Sequence, residues 1–242
     1  MAAIQRHPAG DGTLVLRLDR PEVRNALDTS TIGELLDALG EAAADPGVRV
    51  LVLSTTSARA FCAGADVGEV LDAAGGVERM EAFAALYAAL DAFPAPVICV
   101  CVGNCVGAGA ELAAGSDLRV GGDNLKLAWA GSRLGVPVGP ARLAPLVGVS
   151  RAKELIYTGR VVGMAEALAI GFLHRTAPAE RAEAVALELA GQIAAHPPGG
   201  LRRLKAMFRD FDETHARIAA ENELLVAFQR EGQGLPQGPA SG

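Results

Sequence analysis

The chain has 242 residues, of which 50% are hydrophobic and 21% charged, with a formal net charge of −6 at pH 7. That length and composition suit one large packed domain, or one domain with a smaller appendage, and not a disordered chain. The acidic balance, with basic residues scattered rather than massed, argues against a nucleic-acid binder. No apolar run approaches the roughly 20 residues of a membrane span.

In chain order, the opening "MAAIQRHPAGDG" has no apolar segment of the kind a secretory signal carries. "TLVLRL" (13–18) alternates, with Leu14, Leu16 and Leu18 on one face, and predicts a half-buried strand. A helix is expected over 29–44, where Ile32, Leu35, Leu36, Leu39 and Ala43 form one stripe. "VRVLVLS" (48–54) reads as a buried strand, followed by an amphipathic helix over 77–93 with Met80, Phe83, Tyr87 and Leu90 in register. "PAP" stops that helix, "VICVCV" (97–102) is the next strand, and "DLRVGG" and "LKLAWA" are shorter ones. Strand and helix alternating in this way predict an α/β core. From about Pro140 the pattern is helical: "PARLAPLVG", then "SRAKELIYTG" with Ser150 as N-cap, then "MAEALAIG" closed by Gly171. Further helices are expected near 179–195, 200–210 and 213–230, and the tail "GQGLPQGPASG" is expected to be disordered. Cys62, Cys99, Cys101 and Cys105 have no histidine nearby, so they read as core thiols of a reducing, cytoplasmic compartment rather than as a metal site.

The segment "VGAGAELAAGSD" (106–117) bears the chemistry. It follows a strand, is built almost wholly of small residues, and holds Glu111 with no basic residue within seven positions. A lone carboxylate there is costly to bury unless something favours its charge. A helix opening near Ala108 supplies free backbone N–H groups and a positive dipole end, and places Glu111 in its first turn. A carboxylate beside a backbone anion site suits general acid–base work. A glutamate at that position also often only caps its helix, and both readings stand. The glycines run G-x-x-x-G-x-G, which is neither a dinucleotide fingerprint nor a P-loop. "RAFCAGADVGEV" (59–70) is a second small-residue turn after a strand, so N–H donors from Ala65 and Ala108 are expected to meet at one point.

"RPEVRNALD" (20–28), "AFCAGADVGEV", "VGAGAELAAGSDLRV" and the later "RLAPLVGVSRAKELIYTGRVVGMAEALAIGFLHRTAP" (142–178), in this order and spacing, resemble the crotonase superfamily of enoyl-CoA hydratases and isomerases. The resemblance covers about residues 10 to 210. It implies an α/β fold, a spiral of ββα units with a C-terminal helical region: an acyl-CoA-binding core over 1–190, an oligomerisation region over 191–230 and a tail over 231–242. It implies an acyl-CoA thioester partner with no cofactor beyond its coenzyme A moiety, and a homotrimer or a hexamer built as a dimer of trimers. By motif position, the N–H groups of Ala65 and Ala108 would form an oxyanion hole for a thioester enolate and Glu111 would be the acid–base group. The backbone about Ala63, Ala65 and Val67 would hold the adenine, with Ala26 in "RNAL" beside the pantetheine. Arg24 is a candidate phosphate contact, and Lys205 matches a basic position that reaches a neighbouring subunit's coenzyme A.

One departure falls at the site. Hydratases resembling this chain carry a second glutamate twenty positions after the first, and that position here is Gly131, in "LAWAGSRLGVPVG". The following glycine-rich turn is also shortened. Ser132 and Arg133 are the nearest polar side chains, and arginine stays protonated; Trp129 is either a pocket wall or ordinary core. The leading expectation is an enoyl-CoA hydratase or isomerase working with one glutamate. The alternative is a non-catalytic or weakly catalytic acyl-CoA binder.

Overall fold

A computed structural model describes residues 2–232 together with Gly234 and Leu235. It opens with strands β1 (Ile4–Pro8) and β2 (Thr13–Leu18) and helix α1 (Thr29–Ala44). Three units then follow one plan: β3 (Val50–Thr55), β4 (Ala60–Cys62) and α2 (Ala73–Ala92); β5 (Val97–Cys101), β6 (Asn104–Val106) and α3 (Ala108–Gly115); β7 (Leu118–Gly122), β8 (Lys126–Ala128) and α4 (Pro140–Val147). Helices α5 (Val149–Thr158) and α6 (Met164–Ala169), strand β9 (Arg175–Ala177), and helices α7 (Ala182–Ala194), α8 (Pro198–Phe211) and α9 (Thr214–Glu231) complete the chain.

Each unit gives one strand to each of two sheets. The larger has the order β1-β2-β3-β5-β7-β9 and the smaller β4-β6-β8, and every pairing is parallel except β1 with β2. The spiral of ββα units expected from the sequence is thus the observed architecture.

The apolar runs explain the layers. β3 and β5 are buried on both faces, as interior parallel strands are. On one face Val50, Val52, Ile98 and Val100 meet Ala182, Ala186, Ala190 and Ala194, a stripe spaced by four along α7. α7 spans the 190/191 division read from the sequence, and its alanines let it lie close on the sheet. On the other face Leu51, Leu53, Cys99 and Cys101 pack beneath α1, α2 and α3. Truncating one such leucine to alanine costs about 2–5 kcal/mol.

Several local expectations need correction. β2 is not half-buried: it lies between β1 and β3, so Val15 on its other face is buried as well. α2 starts at Ala73, four residues early, because the Asp72 carboxylate accepts the Gly75 N–H at 2.7 Å and caps the helix there. Ser150 is not an N-cap; Gly148 precedes α5, and no side chain among the described residues caps that helix. The three-residue strands β4, β6 and β9 carry too few residues for their periodicity to show, and β1 has no alternation to show, since only Ile4 in it is buried. Of the tail expected to be disordered, Gln233 and 236–242 lie outside the described residues. Among the described residues no helix is long and apolar enough to cross a membrane.

Candidate active site

Two glycine turns, one after β4 and one after β6, meet back to back. Gly64 (φ +110°) and Gly107 (φ +53°) both hold backbone that side-chain-bearing residues rarely adopt. A Cβ on Gly64 would lie 3.2 Å from the Val106 carbonyl oxygen and 3.8 Å from the Ala108 nitrogen. Gly109 sits tighter still: a Cβ there would stand 2.3 Å from the Cys62 carbonyl oxygen, so only glycine lets α3 seat against β4. The N–H groups of Ala65 and Ala108 have no hydrogen-bond partner among the described residues. Both residues line one pocket of about 210 Å³, together with Ala63, Val67, Met80, Phe83, Gly131 and Val138. Two free backbone donors in an apolar cleft suit an oxygen that carries negative charge.

The "RNAL" stretch lies alongside the first turn. The Ala63 N–H donates to the Arg24 carbonyl at 3.0 Å, and the Leu27 N–H to the Gly64 carbonyl at 2.8 Å. Arg24 is exposed, in left-handed backbone (φ 56°), while Arg20 donates to the Ala26 carbonyl at 2.7 Å. Ala63, Ala65, Val67 and Ala108 therefore share the pocket, with Arg24 and Ala26 flanking it. Lys205 does not join them within one chain. Its ammonium donates to the Asp117 carboxylate at 2.7 Å and the Ala95 carbonyl at 3.0 Å, beside a separate groove.

Glu111 has a different setting from the one its sequence position suggests. It lies in the first turn of α3, but its side chain is 1% exposed and is not part of the pocket wall. The charge that compensates it is not the helix end alone. Arg142, from α4, donates through Nε to Glu111 Oε2 at 2.6 Å and through Nη2 to Glu221 Oε1 at 2.5 Å. Glu221, from α9, also accepts the Ala141 N–H at 2.7 Å. The Tyr87 ring lies 4.3 Å from the guanidinium carbon. Among the described residues Glu111 Oε1 has no hydrogen-bond partner. It faces Gly139, where a Cβ would come within 3.2 Å, and the Trp129 indole N–H is near enough to favour its charge without a hydrogen bond of good geometry.

Burial wins over pairing. Desolvation is the largest influence on the Glu111 carboxyl and pushes it up to about 7; Arg142 pulls it down, and the Glu221 charge pushes it up again. The helix start was expected to keep Glu111 ionised, but the loss of water outweighs that benefit. One cation shared between two carboxylates does not offset that loss of water, so the Glu111 carboxyl stays raised.

Gly131 lines the pocket, and a Cβ there would make only ordinary contact, 3.4 Å from Val136 and 3.5 Å from Val138. Ser132 Oγ donates to the Trp129 carbonyl at 3.5 Å and Arg133 to the Gly159 carbonyl at 3.0 Å, so both are turned to backbone. Trp129 is buried, with its ring edge-on to Phe172. Sequence reasoning missed Arg142 and Glu221. The signal was present: the buried stripe of α9 runs Ile218, Glu221, Asn222, Leu225, with two polar residues at core spacing.

Comparisons with known proteins give the family and the fold. A family model described as enoyl-CoA hydratase/isomerase matches residues 9–235. The chain is 33% identical over 218 residues to the 2,3-dehydroadipyl-CoA hydratase of Escherichia coli (strain K12), covering 88% of this chain and 85% of that one. It is 31% identical over 235 residues to the crotonyl-CoA hydratase of Syntrophomonas wolfei, with 91% and 89% covered. The fold superposes on a crystal structure of an enoyl-CoA hydratase/isomerase from Xanthobacter autotrophicus Py2 with a TM-score of 0.85 at 25% identity, over 97% of this chain and 89% of that one.

Proposed function

Because the chain belongs to the enoyl-CoA hydratase/isomerase family, we propose that it is an acyl-CoA thioester enzyme that stabilises an enolate on backbone N–H groups and moves protons with a single glutamate. The observation that carries this reading is the pair of partnerless N–H groups, Ala65 and Ala108, on interlocked glycine turns in one apolar pocket. Their donors form the oxyanion hole, and the dry wall strengthens them against the thioester oxygen. The coenzyme A moiety lies against the backbone of Ala63, Ala65 and Val67, beside Arg24 and Ala26. Lys205 reaches the coenzyme A of a neighbouring copy once it leaves Asp117. α8 supports a homotrimer or a doubled trimer: none of its residues is buried, and Leu204, Met207, Phe208 and Phe211 are exposed.

Glu111 with a carboxyl near 7 is matched to proton transfer at neutral pH. In double-bond isomerisation it takes a proton from one carbon of the acyl chain and returns it to another, while the enolate oxygen rests on the two N–H groups. In hydration it takes a proton from the water that attacks the β-carbon and delivers that proton to the α-carbon. Isomerisation asks less of one carboxylate, because no water must be held in a pocket that lacks a second one.

A second reading, a non-catalytic or weakly catalytic acyl-CoA binder, draws on the seclusion of Glu111 behind the pocket wall and on Gly131. Loss of the conjugated enoyl thioester of short and medium enoyl-CoAs, followed for wild type and Glu111→Ala, separates the two. Wild-type turnover that collapses in the variant is the expected result. Tight thioester binding with no turnover in either protein would select the binder.

A further inference from the structure

The charge facing Glu111 is set by two elements outside its own unit of the fold. Arg142 supplies the cation, and its guanidinium is a rigid planar fork. Glu221 Oε1, at 2.5 Å from Nη2, fixes the turn of that plane, and so fixes how Nε meets Glu111 at 2.6 Å. Glu221 is itself locked by the Ala141 N–H, and the adjacent Asn222 donates to the Ala84 carbonyl at 2.9 Å, which pins α9 to α2. Leu225, one turn on, lines the pocket.

We infer that Glu221 is a positioning residue for Glu111: acting through Arg142, it holds the orientation of that carboxylate and the charge it faces, so that docking of the C-terminal helix α9 is a condition for proton transfer at the pocket. The inference rests on the reading of Glu111 as the acid–base group.

The other groups about Glu111 do not take this role. From α2 comes the Tyr87 hydroxyl, held neutral because burial raises it well above its usual range. From β4 comes the Cys62 thiol, pushed up to about 12 by burial, and from β6 the Cys105 thiol, also raised. On β5, Cys99 and Cys101 face Arg119, which donates to the carbonyls of Ala113 and Ser116 at the far end of α3. Asp91 of α2 is paired with Arg209 at 2.9 Å. The Trp129 indole does not titrate. Among the described residues, only Arg142 and Glu221 join Glu111 in one hydrogen-bonded chain of ionisable side chains.

The test is a titration of the Glu111 carboxyl by infrared difference spectroscopy, assigned with Glu111→Gln, in wild type, Glu221→Gln and Arg142→Met, beside the pH profile of kcat. Glu221→Gln keeps the size and one acceptor oxygen but removes the charge, so the midpoint is expected to fall by about one pH unit. Arg142→Met removes the cation, so the midpoint is expected to rise by about one unit or more. Opposite shifts, mirrored in the kcat profiles, support the inference. A folded Glu221→Gln protein with an unchanged midpoint overturns it, whether or not Arg142→Met folds. If the wild type turns over no thioester, the enzymatic reading fails, and the carboxyl titration still decides whether Glu221 controls Glu111.

Discussion

The two halves of the candidate site are built in opposite ways. The glycine turns at 63–66 and 106–109 work through backbone: their side chains are small, their donors are N–H groups, and both come from short local sequence. The Glu111–Arg142–Glu221 cluster works through side chains gathered from α3, α4 and α9. At Ala65 and Ala108 the first half withstands change in residue type provided no bulk is added, because every residue but proline offers an N–H. The second depends on three identities, and its free energy is a small difference between large desolvation and Coulomb contributions. Each kind of substitution therefore acts on a different half: bulk damages the first, charge the second.

The largest expected effect is on the side-chain half. Glu111→Gln should lower turnover by roughly 10²–10⁴-fold while leaving acyl-CoA affinity, measured calorimetrically, close to wild type. Loss of affinity in parallel with turnover would merge the two halves into one. Next comes Arg142→Met, which leaves a buried carboxylate without its cation; chemical denaturation at pH 8 should show a loss of about 3–5 kcal/mol. The same variant measured at pH 5 should lose less, because Glu111 then holds a proton.

On the backbone half, Gly64→Ala puts a Cβ 3.2 Å from the Val106 carbonyl in strained backbone. The turns must separate, and kcat should drop by roughly 10²-fold, the loss typical of one misplaced oxyanion donor. An unchanged pH midpoint in this variant would show that the halves are independent.

The pH dependence of stability follows from the sign of the Glu111 shift. Its carboxyl sits at about 7 in the folded chain against 4.5 unperturbed, so the folded state holds the extra proton between those values. The stability this adds is fully present below pH 4.5 and is lost as pH rises through 7. Paired melting curves should therefore show wild type losing ground to Glu111→Gln across that window and no further change above it. The smallest effect expected is at Gly131. Gly131→Glu has room for its Cβ and should raise hydration relative to isomerisation in a product-ratio assay.

What the sequence disclosed divides along the same line. The long helices, the buried strands and both glycine turns were legible because their signals are local: periodicity, breakers and small residues after apolar runs. The resemblance to a known family rested on those same stretches. β4 and β6, with three residues each, were too short to show as strands although the turns that follow them were plain. The partner of Glu111 was not legible, since Arg142 lies 31 positions away and meets it only after α3 and α4 pack. The raised Glu111 carboxyl was not legible for the same reason: the helix start is a local feature, whereas burial belongs to the whole fold. Glu221 announced itself only as a polar residue at a core position of α9, a pattern whose meaning needs the partner across the interface.

The proposed function stands on one step: Glu111 moves a proton at a carbon made acidic by the two N–H groups. That step is read by incubating a saturated acyl-CoA in heavy water and following deuterium at its α-carbon by mass spectrometry, for wild type and Glu111→Gln. Exchange in the wild type and none in the variant is the predicted result. Exchange that persists in the variant, or none in a wild type that binds the thioester, would contradict the claim.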